Sequence, residues 1–292
     1  MTADSRDSRA TTIGFGAILL WTLLALFTAA SGGVPPFQLA SITFLIGGAL
    51  GCARFLVRPD LARALRQPIP VWLLGVGGLF GYHALYFTAL RLAPPAEAGL
   101  INYLWPLLIV LFSAWLPGAK GLRLGHVAGA LMGLAGVGIL FAGRDIGFGT
   151  DALPGYAASL AAAFVWAGYS VLSARVGTVP TEAVAGFCLA TGLLSLVCHL
   201  VFETSVWPQE ASAWASIVLL GLGPVGAAFY LWDIGCKRGD VRLLGVAAYA
   251  APVLSTLILV ATGYAPARPA LALSCLLIVA GALFAVRASR TA

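Results

Sequence analysis

The sequence predicts an all-α integral membrane protein with ten transmembrane helices, arranged as two inverted five-helix repeats around a central cavity. Three observations lead to this prediction. Of the 292 residues, 60% are hydrophobic and only 10% are charged, and 35 are glycine, a composition far from that of a soluble domain. Apolar runs long enough to cross a bilayer recur along the whole chain. The second half of the chain also repeats motifs of the first half.

A membrane-spanning helix needs roughly 20 mostly apolar residues, and ten such runs are separated by short patches of Pro, Gly and charge. The first run follows Arg6 and Arg9 as the core of a signal peptide would, but it is too long for one, and we keep it as a span. The predicted spans are 13–30, 36–56, 71–91, 96–116, 125–142, 153–173, 184–202, 213–236, 242–262 and 268–287.

Lysine and arginine are distributed unequally between the two ends of the predicted bundle. Fourteen of the seventeen lie on the side of the N-terminus, and only Arg91, Arg144 and Arg268 lie on the other side. The positive-inside rule therefore places both termini, including a polar tail of residues 1–12, in the cytoplasm. This bias and anionic lipid account for the net charge of +6, so we predict no nucleic-acid partner.

The five cysteines indicate neither a redox nor a metal site. They lie in or beside apolar runs, without C-x-x-C spacing and without a paired histidine, as expected of small buried side chains. We therefore predict no metal site and no cofactor. These residues are Cys52, Cys188, Cys198, Cys236 and Cys275.

The two halves of the chain align with each other. Residues 73–106 match residues 219–252 without a gap, at a constant shift of 146 (219 − 73), which superposes Pro106 on Pro252. Near the N-terminus the shift is 145 (166 − 21) and pairs Trp21 with Trp166.

The predicted repeats are residues 13–145 and 146–292. Since each would cross the membrane five times, the two must have opposite orientations. Inverted repeats of this kind are typical of transporters that use alternating access; a duplicated scaffold or channel is the alternative.

The third span carries a polar face in an otherwise apolar run. His83 lies twelve residues after Val71, which places it roughly 18 Å into the membrane. Tyr82 and Tyr86 fall on the same side of the helix. An ionisable group at this depth usually faces a cavity or the interior of the bundle, so we predict a cavity-lining role. A neutral core histidine bonded to a neighbouring helix is the alternative.

The fourth span contains "INYLWP", residues 101–106. Because Pro106 has no N–H, the carbonyl of Asn102 loses its helical partner and the helix is expected to kink. Asn102, Trp105 and Pro106 share one face of the helix, with Tyr103 beside it. The fifth span carries Gly125, Gly129 and Gly133 at four-residue spacing. This pattern allows close contact with another helix or with a second copy of the chain.

The ninth and sixth spans add further candidates. Pro252 frees the carbonyl of Ala248 beside Tyr249, as Pro106 does in the first half. Freed carbonyls suit a substrate ammonium, and aromatic rings suit an apolar side chain. The sixth span carries a stripe that predicts another cavity wall: Trp166, Tyr169, Ser170 and Ser173.

Charged residues are absent from the middle of the predicted spans. A proton-driven mechanism built on a central carboxylate is therefore disfavoured, and His83 is the one deep group that titrates near neutral pH. No deep Arg or Lys is present to hold a phosphate or dicarboxylate. The predicted cargo is neutral or zwitterionic, or a hydrophobic cation.

The block "GYHALYFTALRLAPPAEAGLINYLWP" at 81–106, with its echo ending "AAYAAP", resembles the EamA-type branch of the drug/metabolite transporter superfamily. This resemblance implies export of aromatic amino acids, of other amino acids or of hydrophobic toxic compounds across a bacterial inner membrane, through a cavity between the two halves. The cavity residues that it implies are Tyr82, His83, Tyr86, Asn102, Tyr103, Trp105 and Trp166.

We therefore predict an exporter of zwitterionic amino acids, preferably aromatic or bulky apolar ones, that works by alternating access in the lipid bilayer. Tyr249 joins the seven residues above as a predicted substrate-binding residue, through the repeat.

Three alternatives remain. They are an exporter of hydrophobic drugs or other metabolites, with proton coupling through His83, a membrane enzyme, and a non-transporting scaffold or receptor. The sequence offers no G-x-S-x-G or H-E-x-x-H motif, and we predict no catalytic residue. The oligomeric state is open, and a monomer is compatible with the sequence.

Overall fold

The computed structural model of the chain describes residues 8–116, 123–141, 149–263, 266 and 269–290. Within these residues all regular structure is helical. Nine helices of the described part are long and apolar enough to cross a membrane, and a further apolar helix, Leu124–Leu140, is shorter. We number the ten helices α1 (Ser8–Ala30), α2 (Pro36–Val57), α3 (Ile69–Leu92), α4 (Pro95–Trp115), α5 (Leu124–Phe141), α6 (Leu153–Arg175), α7 (Ala183–Phe202), α8 (Ala211–Arg238), α9 (Val241–Ala261) and α10 (Pro269–Arg290).

Helix α1 begins earlier than the predicted span. It starts at Ser8, inside the predicted tail of residues 1–12. The apolar run begins only at Ile13, but the helix has one more polar turn, in which the Thr12 hydroxyl donates to the Ser8 carbonyl at 3.0 Å. Three basic residues that bear on the predicted orientation lie outside the described part of the chain, as do residues 1–7: Lys120, Arg144 and Arg268.

Irregular turns interrupt five of the helices. Helix α1 is broken between Trp21 and Leu24, and the other four interruptions form two pairs. A π-helical turn occupies Gly77–Gly81 of α3, and another occupies Gly223–Ala227 of α8. Helix α4 is broken after its first segment, Pro95–Asn102, and α9 after Val241–Ala248. Each pair is related by the shift of 146 residues found in the sequence, so the second half repeats these two irregularities of the first. The break in α1 is not repeated, because its equivalent α6 is one continuous helix, Leu153–Arg175.

Helix packing also follows the repeat. Helix α1 packs on α8, and its equivalent α6 packs on α3. The pairs α2–α7, α4–α9 and α5–α10 each join a helix to its own counterpart in the other half. If each helix is replaced by its counterpart in the other half, the same set of helix–helix contacts results. Helices α1, α3, α4, α6, α8 and α9 surround the centre of the bundle.

One end of the bundle, the N-side, carries the beginnings of α1 and α9. There the backbone N–H of Asp240 donates to the Thr11 hydroxyl at 2.9 Å. The Lys237 ammonium lies 2.8 Å from the buried Asp233 carboxylate and donates to the Val179 carbonyl. Asp233 also accepts a hydrogen bond from Thr181 at 2.7 Å. This cluster joins α8 to the segment before α7.

At the opposite end, the far side, the Glu203 carboxylate is the centre of a second cluster. It accepts hydrogen bonds from the Arg91 guanidinium at 2.7 Å and from the backbone N–H groups of Phe37 and Gln38 at 3.1 Å each. His199 lies 3.1 Å from the same carboxylate. The cluster ties together the far-side ends of α2, α3 and α7.

Candidate functional site

A cavity of about 200 Å³ lies between the two halves. Seven of the eight residues predicted from the sequence line it: Tyr82, His83, Tyr86, Asn102, Tyr103, Trp105 and Trp166. Nine further lining residues come from α1, α8 and α9: Trp21, Leu24, Ala25, Pro224, Val225, Phe229, Ala251, Pro252 and Ser255. Both halves of the chain therefore contribute to the same cavity.

His83 uses one ring nitrogen within its own helix. Its Nδ1 lies 2.7 Å from the carbonyl oxygen of Leu79, in the π-helical turn of α3. Because a carbonyl only accepts, Nδ1 carries the proton in this contact. The ring makes edge contacts with Phe44, at 4.9 Å between centroids, and with Phe229, at 6.2 Å. His83 thus lines the cavity, and its Nδ1 bonds to its own helix rather than to a neighbouring one.

A hydrogen bond joins the polar faces of α3 and α4. The Asn102 amide Nδ2 donates to the Tyr82 hydroxyl at 3.0 Å. The amide oxygen of Asn102 is buried and has no hydrogen-bond partner among the described residues. Tyr82 and Tyr86 stack with their ring centroids 6.0 Å apart. The wall formed by α3 and α4 is therefore aromatic, with one buried amide oxygen that is left unpaired.

Four large rings form the aromatic floor of the cavity: Trp21, Trp105, Trp166 and Phe229. The centroid of Trp166 lies 5.8 Å from that of Trp21, 6.3 Å from that of Trp105 and 5.8 Å from that of Phe229. All three contacts are edge-on, the geometry that aromatic pairs favour. Trp21 is held in place because its indole N–H donates to the Pro224 carbonyl at 3.1 Å.

The bundle is closed on the N-side of this floor. Trp232 lies below it, with its centroid 5.0 Å from that of Trp21, and its indole N–H donates to the Ser170 hydroxyl. Further toward the N-side, α1 and α8 meet at Gly14 and Gly235, where a Cβ on Gly235 would lie 2.8 Å from the Cα of Gly14. The lining residues of α1 and α9 lie instead in the far-side halves of their helices. The cavity thus extends from mid-bundle toward the far side.

Tyr249 does not line the cavity, which corrects the prediction for α9. Its side chain is fully buried and packs on Gly133 of α5, where a Cβ would lie 2.3 Å from the ring. The cavity meets α9 beyond the break, at Ala251, Pro252 and Ser255. The role carried over from Tyr103 fails because the missing Cβ of Gly133 leaves room for the ring away from the cavity.

The stripe predicted on α6 is a cavity wall only at Trp166. Tyr169 is buried against Gly78, and the Ser170 hydroxyl is used by Trp232. Ser173 is also buried and outside the cavity lining. This part of α6 faces α3 and α8, so its small and polar residues serve helix packing.

Equivalent residues of the two halves meet at the cavity. His83 corresponds to Phe229 at the shift of 146, and the two rings are in edge contact. Trp21 corresponds to Trp166 at the shift of 145, and these rings are 5.8 Å apart. The sequence alignment paired these residues, and that pairing was the signal by which Trp21 and Phe229 could have been recognised as site residues.

Among the described residues, those that line the cavity include no Asp, Glu, Lys or Arg. In the described part of the chain, no group of three or more His, Cys, Asp or Glu residues is arranged to hold a metal ion. The polar side-chain groups of the lining are hydroxyls, indole N–H groups, one amide and one imidazole, among mostly aromatic and aliphatic side chains. Such a lining suits a small cargo with an apolar part and no net charge.

Comparison with known proteins identifies one family, several relatives and a similar solved structure. The description "EamA-like transporter family" matches residues 9–142 and again residues 153–287. The aromatic amino acid exporter YddG of Ancylobacter novellus is 62% identical over 285 residues, 97% of this chain and 99% of the relative. YddG of Escherichia coli K12 is 28% identical over 272 residues, 85% of this chain and 86% of the relative. A crystal structure with 61% sequence identity superposes with a TM-score of 0.93, over 97% of this chain and 98% of that chain.

Proposed function

Because the chain belongs to the EamA-like transporter family, we propose that it exports amino acids, preferably aromatic ones, across a bacterial inner membrane. The observation that carries this proposal is the cavity between the two matched repeats. Its aromatic floor suits an aromatic side chain, and its uncharged polar groups suit a zwitterion. The names of the relatives at 62% and 28% identity agree with this cargo.

The size of the cavity favours amino acids over the alternative of hydrophobic drugs. Sites for drug-sized ligands usually enclose about 300–1,000 Å³, whereas this cavity encloses about 200 Å³. An amino acid needs no more than a small enclosure with one apolar and one polar end. The proposed function includes no catalytic step, and the lining offers no carboxylate to carry one.

We propose that export works by alternating access between two inverted repeats. Supporting this proposal are the two matches to the family, the paired π-helical turns and helix breaks, and the exchange of helix contacts between halves. Five helices in each half give the repeats opposite orientations. An arrangement that can exchange the roles of its halves can open the same cavity to either side.

We place the N-side in the cytoplasm, with both termini. Among the described residues, Arg91 is the basic residue at the far side, while the other arginines and Lys237 lie toward the N-side. The positive-inside rule then assigns the far side to the periplasm. In this orientation the cavity of the present structure is directed outward and is closed toward the cytoplasm.

Transport in proteoliposomes tests the proposal. Liposomes that contain the purified protein should release labelled L-phenylalanine faster than empty liposomes. Trp105→Leu removes a ring of the aromatic floor and should lower the rate about tenfold or more, since aromatic contacts and their buried area together contribute at least about 1.4 kcal/mol. Trp115→Leu is the matched control, because Trp115 is 69% exposed at the N-side and outside the lining.

The possible results of this experiment test the transport function and the location of the binding site separately. Wild-type release no faster than from empty liposomes contradicts amino-acid export. Equal loss in both tryptophan variants, with unchanged thermal stability of each, contradicts the placement of the site at the aromatic floor.

A further inference from the structure

Two buried polar atoms of cavity-lining residues lack hydrogen-bond partners in the described part of the chain: the amide oxygen of Asn102 and the hydroxyl of Ser255. Both residues line the cavity, and their exposed fractions are only 5% and 9%. A buried polar atom left unpaired destabilises a protein unless a ligand or water satisfies it. One atom comes from each half of the chain. The repeat pairs Asn102 with Ala248 and Ser255 with Ile109, so neither group has an equivalent in the other half.

The surroundings of Asn102 favour a cation. Its Nδ2 already donates to Tyr82, so the amide oxygen that remains can only accept. Asn102 is also the last residue of the first segment of α4, and the C-terminal end of a helix carries a partial negative charge. Pro106 cannot donate to the Asn102 carbonyl. The remaining acceptor of Asn102 thus lies at the break in α4, where it can bind a positively charged donor.

The surroundings of Ser255 favour an anion. Ser255 is the sixth residue of the second segment of α9, Ala250–Ala261, about one turn after Ala251 and Pro252, which also line the cavity. The N-terminal end of a helix carries a partial positive charge, and helix breaks in transporters direct such ends at substrate carboxylates. The opposite end at this break, Ala248, is fully buried and outside the lining. On α9 the cavity therefore meets the positive end of a helix segment, at Ala251 and Pro252, and not the negative end of the preceding one.

We propose that Asn102 and Ser255 form an orienting site for the amino-acid head group. The substrate ammonium binds the amide oxygen of Asn102, and the substrate carboxylate accepts a hydrogen bond from the Ser255 hydroxyl. The side chain of the substrate lies on the aromatic floor, on the N-side of Asn102, because Trp105 follows one turn later on α4. This assignment rests on the proposed function and defines which end of the substrate faces each half.

Three ligands that differ in one group test the site. L-Phenylalanine carries both head groups, 3-phenylpropionate lacks the ammonium, and phenethylamine lacks the carboxylate. Their affinities are measured by competition against labelled L-phenylalanine on purified protein. Asn102→Leu should weaken L-phenylalanine and phenethylamine about tenfold and leave 3-phenylpropionate nearly unchanged. Ser255→Ala should weaken L-phenylalanine and 3-phenylpropionate about tenfold and leave phenethylamine nearly unchanged.

Thr256→Val is the matched control, because the Thr256 hydroxyl next along the chain is already paired with the Pro252 carbonyl and lies outside the lining. It should leave all three affinities unchanged. If Asn102→Leu does not fold, Asn102→Asp keeps an acceptor in place and should retain the preference for ligands with an ammonium. If either variant weakens all three ligands equally, or weakens none of them, the orienting site is overturned. The proposed function stays intact in that case, provided that the wild type binds L-phenylalanine. A wild type that binds no L-phenylalanine overturns both.

Discussion

At the scale of single residues, Glu203 has more structural partners than its place at a helix end suggests. Its side chain is only 2% exposed, although Arg91, its partner, is 44% exposed. The carboxylate also accepts both backbone N–H groups at the start of α2, which are among the groups a helix leaves unpaired. Hydrogen bonds from charged or helix-end donors to a carboxylate are stronger than neutral ones. Glu203 therefore stabilises the far-side ends of three helices at once.

We expect Glu203→Gln to lower stability by about 1–3 kcal/mol, because Arg91 loses its counter-ion and the amide can accept fewer of these hydrogen bonds. The measurement is the thermal unfolding midpoint in detergent micelles. Glu210→Gln is the control, since Glu210 is an exposed carboxylate of the same loop. A midpoint equal to that of the control variant would show that the far-side cluster contributes nothing measurable.

The sequence identified site residues best where depth in the membrane decided the environment. His83 and Trp166 were placed at the cavity because a polar or aromatic group at mid-span has few other favourable surroundings. The sequence did not identify site residues correctly where the direction of a single side chain decides whether it faces the cavity. Tyr249 was assigned through its repeat partner Tyr103, but its ring fits against Gly133, a contact between distant segments that no local pattern encodes.

At the scale of helices, the glycine stripe predicted on α5 is used within the chain. Gly125 lies against Ala288 and Gly129 against Gly281, both on α10. The contact at Gly129 is with backbone: a Cβ there would lie 2.5 Å from the Gly281 carbonyl oxygen. Small residues at such positions let membrane helices approach closely. The pattern predicted the close contact but left its partner open, because spacing alone does not distinguish another helix from a second chain.

Gly129→Ala should therefore destabilise the protein even though alanine is the better helix former. The new methyl group cannot avoid the Gly281 backbone without separating α5 from α10. We expect a loss of about 1–3 kcal/mol, in the range for overpacked cores. Gly138→Ala on the same helix is the control, because no atom lies within 4 Å of its added Cβ, and it should be neutral or stabilising by up to about 1 kcal/mol. Thermal unfolding of both variants in one detergent decides the matter, and a Gly129→Ala protein as stable as Gly138→Ala would contradict the tight seam.

Helix extents and helix shapes differ in how far they could be predicted. The ten apolar runs correspond to helices with ends shifted by a few residues, because hydropathy marks the apolar stretch and not the polar turns that extend it. The breaks near Pro106 and Pro252 follow from the missing N–H. The π-helical turns at Gly77–Gly81 and Gly223–Ala227 could not be predicted in this way. A π-helical turn holds one residue more than an α-helical turn, and the glycines there do not by themselves distinguish it from a regular turn.

At the scale of the whole molecule, the present structure is symmetric in its contacts and asymmetric in its cavity. The helix pairs exchange with the halves, yet the cavity extends toward the far side while Gly14 and Gly235 are in close contact at the N-side. If the halves can exchange roles, the inverse arrangement would open the N-side and close the far side. Cysteine accessibility can detect which side is open, once the five native cysteines are replaced by serine or alanine.

In a cysteine-free background, Ala25→Cys should react with a membrane-impermeant maleimide added to intact cells, since Ala25 lines the cavity on the far side of the floor. Excess L-phenylalanine should slow this reaction by occupying the cavity. Ala17→Cys is the control: Ala17 lies on the same helix, on the N-side of Trp21, and is fully buried, so it should not react from outside. Reaction of Ala25→Cys only in inside-out vesicles would reverse the proposed orientation. Equal reaction of both positions from the outside would indicate a continuous pore and exclude alternating access, because a carrier never opens the cavity to both sides at once.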